Sequence, residues 1–206
     1  PILADTLSAY DNVTVINEDI LKLDIVKLAE EKNAGKPIKV VANLPYYITT
    51  PIIMGLFESH VPIDNITVMV QKEVADRMKV GPGSKDYGAL SLAVQYYAEP
   101  YLVANVPANC FIPRPNVDSA VIQIQVKQRY ADITKNPSHF FAMVKNGFSQ
   151  RRKTLVNALS ATMGYEKQML ISILEGMELP ESVRMEKLTM EQLISLSNAL
   201  SERAVV

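Results

Sequence analysis

The sequence predicts an α/β protein with a mainly parallel sheet, followed by a small all-helical domain. Apolar, β-branched segments alternate with helix-like segments through the first half of the chain, and such alternation is typical of parallel sheets. Two more apolar segments, Tyr101–Val106 and Ser119–Val126, lie close together, as an antiparallel pair would. From Lys127–Pro137 onward only helical patterns remain. We therefore predict two domains, over residues 1–130 and 131–206.

The elements of the first domain follow from local patterns. Alternating β-branched residues predict a strand over Asn12–Asn17, and the apolar run Ile38–Ala42 predicts a buried strand. Pro51 suits the first residue of a helix, and the inward-facing residues after it are Ile52, Ile53, Leu56 and Phe57. The other elements predicted here are helix Ile20–Leu28, strand Asn65–Val70, helix Lys72–Met78 and helix Gly88–Tyr97.

The second domain is predicted to contain helices only, because apolar residues recur at helical spacing between glycine and proline breaks. Gly164, Gly176 and Pro180 supply those breaks. The short links are typical of a small bundle. The predicted helices are Ser138–Phe148, Lys153–Met163, Glu166–Leu174 and Met190–Arg203.

Composition excludes several classes of protein. The 206-residue chain is 48% hydrophobic and 21% charged, as in ordinary globular proteins. It contains no apolar run of about 18–20 residues, the length that spans a bilayer. The single cysteine, Cys110, excludes an intramolecular disulfide framework, indicates a reducing cytoplasm and is expected to be semi-buried. His60 and His139 are isolated in the sequence, so neither a metal site nor a catalytic triad is expected.

The net charge of −1 conceals an uneven distribution. Residues 1–31 are rich in Asp and Glu and contain only Lys22 and Lys27 as basic residues. Residues 127–153 contain Lys or Arg at 127, 129, 135, 145, 151, 152 and 153, against Asp132 alone. A local basic field suits contact with nucleic-acid phosphates. A solvated basic helix face is the alternative.

The most informative motif is Asn43-Leu44-Pro45-Tyr46, which follows the predicted strand Ile38–Ala42. Open α/β sheets bind ligands at the carboxyl ends of their strands. The Asn43 side-chain oxygen and a backbone carbonyl near Leu44 and Pro45 suit the two N–H groups of an adenine amine, whose nitrogen would become nucleophilic. Tyr46 would stack on the base, and Pro45 stiffens the loop because it fixes φ. The alternative is an ordinary strand-to-helix turn capped by Asn43.

Four stretches of the chain together resemble the ribosomal RNA adenine dimethyltransferases of the small subunit, which are related to the erythromycin-resistance methyltransferases. The resemblance covers nearly the whole chain, and the motifs occur in the family's order. It implies a Rossmann-like methyltransferase sheet, S-adenosylmethionine as cofactor and a small helical RNA-binding domain. The matching stretches are Asn43–Ile52, Gln71–Arg77 with Ser84–Ser91, Phe111–Val121 and Phe148–Leu155.

The resemblance also implies a reaction and its residues. The family transfers two methyl groups to N6 of each of two adjacent adenines in small-subunit ribosomal RNA, so the assembling small subunit is the expected partner. Phe111 matches the second stacking face for the flipped base, with a core aromatic as the alternative. Asp19 matches the acceptor for the cofactor's adenine amine, although it also suits the N-cap of a helix from Ile20. Asn43 is expected to touch both cofactor and substrate.

Basic residues of the matched stretches are candidate RNA contacts. Arg151, Arg152 and Lys153 would open a helix of the second domain and neutralise several phosphates. Arg114 lies between two prolines of the second substrate loop and would meet a phosphate near the flipped base, although the family often has an uncharged residue there. A structural charge network on one helix face is expected instead for Lys72, Glu73 and Arg77.

The usual cofactor cradle, a glycine-rich turn after the first strand, has no counterpart in this sequence. Gly81 and Gly83 are split by Pro82 and predict a surface turn. We infer a truncated chain that lacks the family's first two strand–helix units and transfers no methyl group by itself. Its first ~30 residues, without their strand partner, are expected to be mobile, displaced or paired with a neighbouring molecule.

Two other functions fit parts of the sequence. A non-catalytic RNA-binding factor for ribosome assembly or transcription would keep the substrate loops and do without the cofactor cradle. A DNA adenine methyltransferase would share the Asn43 motif, but the match at Phe148–Leu155 and the helical domain favour RNA. Cofactor binding, measured with and without a restored amino terminus, separates these hypotheses.

Overall fold

A four-stranded mixed sheet organises the first part of the chain. The computed structural model describes residues 2–127 and 129–203. β1 and β2 are parallel, whereas β4 is antiparallel to both β2 and β3. The predicted antiparallel final pair is thus confirmed, whereas only one of the three strand pairings, β1 with β2, is parallel. The strands lie in the order β1-β2-β4-β3 and are β1 (Ile38–Asn43), β2 (Ile63–Gln71), β3 (Ala98–Val106) and β4 (Ser119–Val126).

Helices cover one face of this sheet and predominate after residue 136. In chain order they are α1 (Ile2–Thr6), α2 (Ile25–Asn33), α3 (Thr49–Glu58), α4 (Lys72–Lys79), α5 (Ala89–Tyr97), α6 (Pro137–Ser149), α7 (Leu155–Met163), α8 (Lys167–Gly176) and α9 (Met190–Arg203). Alternate residues of β2 and β4 are buried against α3, α4 and α5, as the two-residue period of a strand requires. They are Ile66, Val68, Val70, Ala120, Ile122 and Ile124.

A second hydrophobic core lies among α6, α7, α8 and α9. Phe140 and Leu155 are fully buried within it. Helix α5 contributes to both cores, because Leu92 and Tyr96 belong to the helical core while Val94 faces the sheet core. On the basis of these two cores we propose that the chain divides into two domains, residues 1–130 and 131–206. Helix α5 belongs to the first domain and packs against both cores.

The segment after α1 differs from the prediction. Residues 12–17 form no strand, and Val13, Val15 and Ile16 are exposed. β1 instead forms one edge of the sheet, and Val41 in it is 79% exposed. The predicted strand over Asn12–Asn17 is therefore wrong, and the expected displacement of this segment from the sheet is what the structure shows. A β-branched pattern gives a strand only where a neighbouring strand pairs its backbone.

The first residues of α2 and α3 differ from those predicted. α2 begins at Ile25 rather than Ile20, because the Asp24 carboxylate accepts the Lys27 N–H at 3.0 Å and so caps the helix there. α3 begins at Thr49, two residues before the predicted start. The residues predicted to face inward on α3 are all buried: Ile52, Ile53, Leu56 and Phe57.

Charged side chains of α4 form the predicted network on one helix face. Glu73 pairs with Arg77, and Lys72 lies 3.7 Å from Asp76 and donates to the Asn105 side chain at 3.1 Å. No helix in the part of the chain that the structure describes is long and apolar enough to cross a bilayer. Within residues 2–127 and 129–203, no group of three or more His, Cys, Asp or Glu side chains is arranged to hold a metal ion.

Candidate active site

β1 ends at Asn43, beside Met69 of the parallel strand β2. Leu44 continues this pairing, because its N–H donates to the Met69 carbonyl at 3.2 Å and its side chain is buried in the sheet core. Asn43 itself is exposed, and among the described residues no side-chain hydrogen bond involves its amide. The strand therefore presents a free amide to solvent from a fixed backbone.

The backbone turns at Pro45, whose carbonyl points into the protein. This carbonyl accepts the Ile48 N–H at 3.2 Å and the hydroxyl of the buried Thr49 at 3.1 Å. In the described turns and loops, by contrast, no backbone hydrogen bond ends on the carbonyl of Leu44. The acceptor available beside the Asn43 amide is therefore the Leu44 carbonyl.

Tyr46 is half-buried, and its hydroxyl is held by a second element. The Tyr46 hydroxyl and Ser119 Oγ are 2.8 Å apart. Ser119 is the first residue of β4 and is fully buried. The neighbouring Tyr47 is 84% exposed. Of the two tyrosines, Tyr46 therefore has the ring of defined orientation next to Asn43.

The loop between β3 and β4, residues 107–118, contains most of the predicted second substrate loop, Phe111–Val121, and lies at the same edge of the sheet. Ser119 is in register with Gln71 at the carboxyl end of β2 and with Val106 at the carboxyl end of β3. β1 ends at this edge as well, because it runs parallel to β2. The fold thus brings to one edge two loops that are far apart in the sequence.

Asp118 fixes the base of this second loop. Its carboxylate accepts the Ala108 N–H at 2.9 Å, and its carbonyl accepts the Lys72 N–H at 2.9 Å. Phe111 is half-buried and belongs to neither hydrophobic core, so the alternative of a core aromatic is not supported. Arg114 is exposed, and no hydrogen bond or ion pair among the described residues involves it.

Asp19 lies in an exposed turn rather than at a helix start. One carboxylate oxygen accepts the Leu21 N–H at 3.0 Å, and the Asp19 carbonyl accepts the N–H groups of Lys22 and Leu23. The alternative of a helix N-cap is wrong, because α2 begins only after Asp24. The second carboxylate oxygen of Asp19 has no described partner and faces solvent.

The family described as "Ribosomal RNA adenine dimethylase" has a model that matches residues 1–202. The chain belongs to this family. The protein named "Ribosomal RNA small subunit methyltransferase A" from Lachnoclostridium phytofermentans is 63% identical over an alignment of 206 positions, and the match covers 98% of this chain and 71% of that protein. The protein of the same name from Clostridioides difficile is 50% identical over 98% of this chain and 70% of its own length.

Two crystal structures share the fold of this dimethylase family member. A dimethyladenosine transferase from Plasmodium falciparum has a TM-score of 0.78 at 21% identity, over 97% of this chain and 76% of its own. The 23S rRNA methyltransferase ErmE has a TM-score of 0.64 at 22% identity, over 97% of this chain and 77% of its own. The predicted fold, a Rossmann-like methyltransferase sheet followed by a helical region, is confirmed.

The predicted phosphate-binding cluster of this dimethylase does not open a helix. α7 begins at Leu155, and the Thr154 hydroxyl caps it by accepting the Asn157 N–H at 3.3 Å. The cluster Arg151–Lys153 lies in the turn between α6 and α7, so the predicted helix start at Lys153 is wrong by two residues. The threonine is the better cap because its hydroxyl satisfies a free N–H of the first turn.

The side chain of Arg151 forms hydrogen bonds and an ion pair within the protein. Its guanidinium donates to the carbonyls of Lys85 and Tyr87 at 2.7 and 2.9 Å and pairs with the Glu186 carboxylate at 3.4 Å. It therefore joins the loop before α5 to the segment before α9. Arg152 and Lys153 are exposed and take part in no ion pair or side-chain hydrogen bond among the described residues.

Together with Arg151, three more of the seven basic residues between 127 and 153 are paired with carboxylates. Lys127 and Arg129 contact Glu99, and Lys135 contacts Glu202. The hydrogen bond from Lys127 holds the pKa of Glu99 below its ordinary value. The basic field predicted from composition is thus weaker than its residue count indicates.

His139 joins three parts of the helical core. Its Nδ1 is 2.7 Å from Ser197 Oγ, and its Nε2 is 2.5 Å from the Tyr165 hydroxyl. Burial lowers the pKa of His139 and raises the pKa of Tyr165. Since Ser197 is fully buried, the arrangement is structural. Cys110, expected to be semi-buried, is exposed in the loop between β3 and β4.

Sequence patterns did not identify Ser119 and Asp118 as residues of the site. Both lie in the matched stretch Phe111–Val121, but nothing local marks their contacts. The partner of Ser119 is 73 positions away, so only the strand register reveals it. One signal could have identified Ser119. It is a polar residue at the first position of a predicted strand, next to a predicted substrate loop.

Proposed function

We propose that this chain acts in the S-adenosylmethionine-dependent dimethylation of N6 of two adjacent adenines in small-subunit ribosomal RNA. The observation that carries the proposal is the free Asn43 amide at the end of β1, beside the unoccupied Leu44 carbonyl. The name shared by the curated relatives supports the class of RNA. The assembling small ribosomal subunit is then the partner, and the cytoplasm is the place of action.

The two acceptors address the chemical difficulty of the reaction. An adenine amine is a poor nucleophile because its lone pair is delocalised into the ring. The Asn43 oxygen and the Leu44 carbonyl accept its two N–H groups, which favours a tetrahedral nitrogen with an available lone pair. Both interactions strengthen as positive charge develops on the nitrogen, so they stabilise the transition state. The methylated amine is acidic and loses its proton to water.

Aromatic side chains receive the base after it leaves its stack. Tyr46 supplies one face, and Phe111, from the loop at the same sheet edge, supplies the other. Each such stack contributes ~1–3 kcal/mol. The base is thereby held with its amine at Asn43.

Asp19 and Asn43 are the residues of this chain that fit the cofactor. Both are exposed, and each has an oxygen without a described partner. When bound, S-adenosylmethionine supplies a methyl on a sulfonium that needs no further activation, so the protein contributes position and exclusion of water. The turn at Gly81 is no cradle, because Gly83 donates its N–H to the Glu186 carbonyl at 2.7 Å and packs on the helical domain.

RNA phosphates are bound, in this proposal, by the basic side chains that lack internal partners. Arg152 and Lys153 project from the turn before α7, and Arg114 lies in the second substrate loop. Arg151 contributes by holding that turn in place. Such contacts make RNA binding strongly dependent on salt.

The proposal is tested by cofactor binding and by product analysis. Calorimetry with S-adenosylmethionine is performed on this chain and on a form extended at its amino terminus with the glycine-rich units of a family relative. The extended form should bind the cofactor and convert adenines of small-subunit particles to N6,N6-dimethyladenosine, identified by mass spectrometry. Methylation of a different atom would overturn the proposal. Cofactor binding without any transfer would point to the non-catalytic RNA-binding factor.

A further inference from the structure

One hydrogen bond joins the two substrate loops. We infer that Ser119 is a positioning residue, whose hydroxyl sets the orientation of the Tyr46 ring for stacking on the target adenine. The inference rests on the proposed function, because it concerns the ring that receives the base. Ser119 itself is buried beneath the loops and does not touch the substrate.

The Tyr46 ring is restrained at both ends. Its backbone belongs to a short 3₁₀ turn closed by the bond from the Ile48 N–H to the Pro45 carbonyl. At the other end its hydroxyl lies 2.8 Å from Ser119 Oγ, its only polar side-chain contact among the described residues. A ring fixed at both ends keeps its plane before the base arrives, so less conformational freedom is lost on stacking.

Ser119 is a rigid support for this contact. It is in register with Gln71 on one side and Val106 on the other, so its backbone is held between two strands. The preceding residue, Asp118, accepts the N–H groups of Ala108 and Lys72. The backbone that carries the hydroxyl holding Tyr46 is therefore fixed to the sheet.

The orientation of Tyr46 can be observed without any ligand. The nine tyrosines are labelled with ¹³C at the ring ε positions, and the Tyr46 resonance is assigned by its loss in Tyr46→Phe. Ser119→Ala should shift that resonance. Ser197→Ala is the matched control, because Ser197 is an equally buried serine whose hydroxyl bonds to His139 at 2.7 Å in the helical core. It should leave the Tyr46 resonance in place, while thermal unfolding of both variants checks that they fold.

The second measurement is the preference of the protein for RNA that contains adenine. The probe is an RNA stem-loop with two adjacent adenines, compared with the same RNA carrying uridines there. Loss of one neutral hydrogen bond should lower the preference for adenine about 3–10-fold in Ser119→Ala and in Tyr46→Phe. The double variant should lose no more than either single variant, since both remove the same bond. Ser197→Ala should keep the full preference.

The outcomes separate this inference from the proposed function. An unshifted Tyr46 resonance in Ser119→Ala, or losses that multiply in the double variant, would overturn the positioning role of Ser119. A wild-type chain without any preference for adenine would contradict the proposed function instead. In that case the resonance shift still decides whether Ser119 orients Tyr46.

Discussion

At the scale of single residues, the site is defined by which polar groups the fold leaves without a protein partner. Asn43 and Tyr46 belong to a motif that is visible in the sequence, so both could be proposed as site residues from the sequence alone. The choice of backbone acceptor was not, because it depends on the turn: the Pro45 carbonyl is occupied by Thr49 and Ile48, while that of Leu44 is open. Hydrogen bonds of this kind are set by loop geometry, which sequence patterns do not specify.

We expect His139 to make stability depend on pH. Burial lowers its pKa in the folded protein, whereas the unfolded chain has an ordinary pKa of about 6.5. The unfolded state therefore binds the proton more readily, so the stability is fully present above about pH 6.5 and is lost as the pH falls from there toward the folded pKa. The urea midpoint should fall between pH 7.5 and pH 5.5, and it should fall less in His139→Gln. An equal fall in both proteins would contradict this role of His139.

At the scale of elements, helix ends depend on residues with positive φ. Ala34 ends α2 with φ 52°, and Gly164 ends α7 with φ 76°. A Cβ is unfavourable in this left-handed region, and glycine is not. Gly164→Ala should therefore lower the free energy of unfolding by about 1 kcal/mol, and Ala34→Gly should raise it by up to about 1 kcal/mol. Chemical denaturation measures both, and changes of the same sign would contradict the prediction.

Neighbouring arginines of the α6–α7 turn should differ in their effects. Arg151 holds two carbonyls and Glu186, so Arg151→Ala should lower the melting temperature. Arg152 has no described partner, so Arg152→Ala should leave stability unchanged and reduce the slope of log affinity for RNA against log salt by about 0.7–0.9. Thermal unfolding and a salt titration of RNA binding test the pair. The reverse assignment of effects would show that Arg151 is the phosphate contact.

Sequence patterns predicted the bounds of an element best where the spacing of its apolar residues matches the face that it buries. β4, over Ser119–Val126, and α9, over Met190–Arg203, have the predicted bounds. The failures occurred where the outcome depends on another part of the molecule. Residues 12–17 have a strand pattern without a strand to pair with, and α2 begins where the Asp24 side chain caps it.

At the scale of the whole molecule, an aromatic stack connects the two cores. The ring of Tyr97 stacks on that of Phe57 in the sheet core, with 4.9 Å between the ring centroids. It also stacks on the ring of Phe141, which packs on the helical core, with 5.4 Å between the centroids. Burial raises the pKa of Tyr97 to about 12. The proposed division into two domains rests on the change of pattern near residue 130 and on the two cores. The stack could not be predicted from the sequence, because it joins positions that are distant in the sequence.

Tyr97 is the central ring of this stack, and its removal should allow the two cores to unfold independently. Tyr97→Ala should lower the free energy of unfolding by about 3 kcal/mol and split a single calorimetric transition into two. Tyr101→Ala is the control, because Tyr101 is a partly exposed tyrosine of β3 and its loss should leave one transition. One cooperative transition in Tyr97→Ala would contradict the role of the stack.

Whether Asn43 activates the adenine amine is decided by the rate of methyl transfer in Asn43→Ala. The measurement uses the amino-terminally extended form at saturating cofactor and RNA, with Asn65→Ala, from the opposite end of the same sheet, as the control. Loss of a preorganised group that stabilises developing charge should lower the Asn43→Ala rate ~100–1,000-fold, with RNA affinity little changed and Asn65→Ala near wild type. An Asn43→Ala rate close to wild type would contradict the activation mechanism.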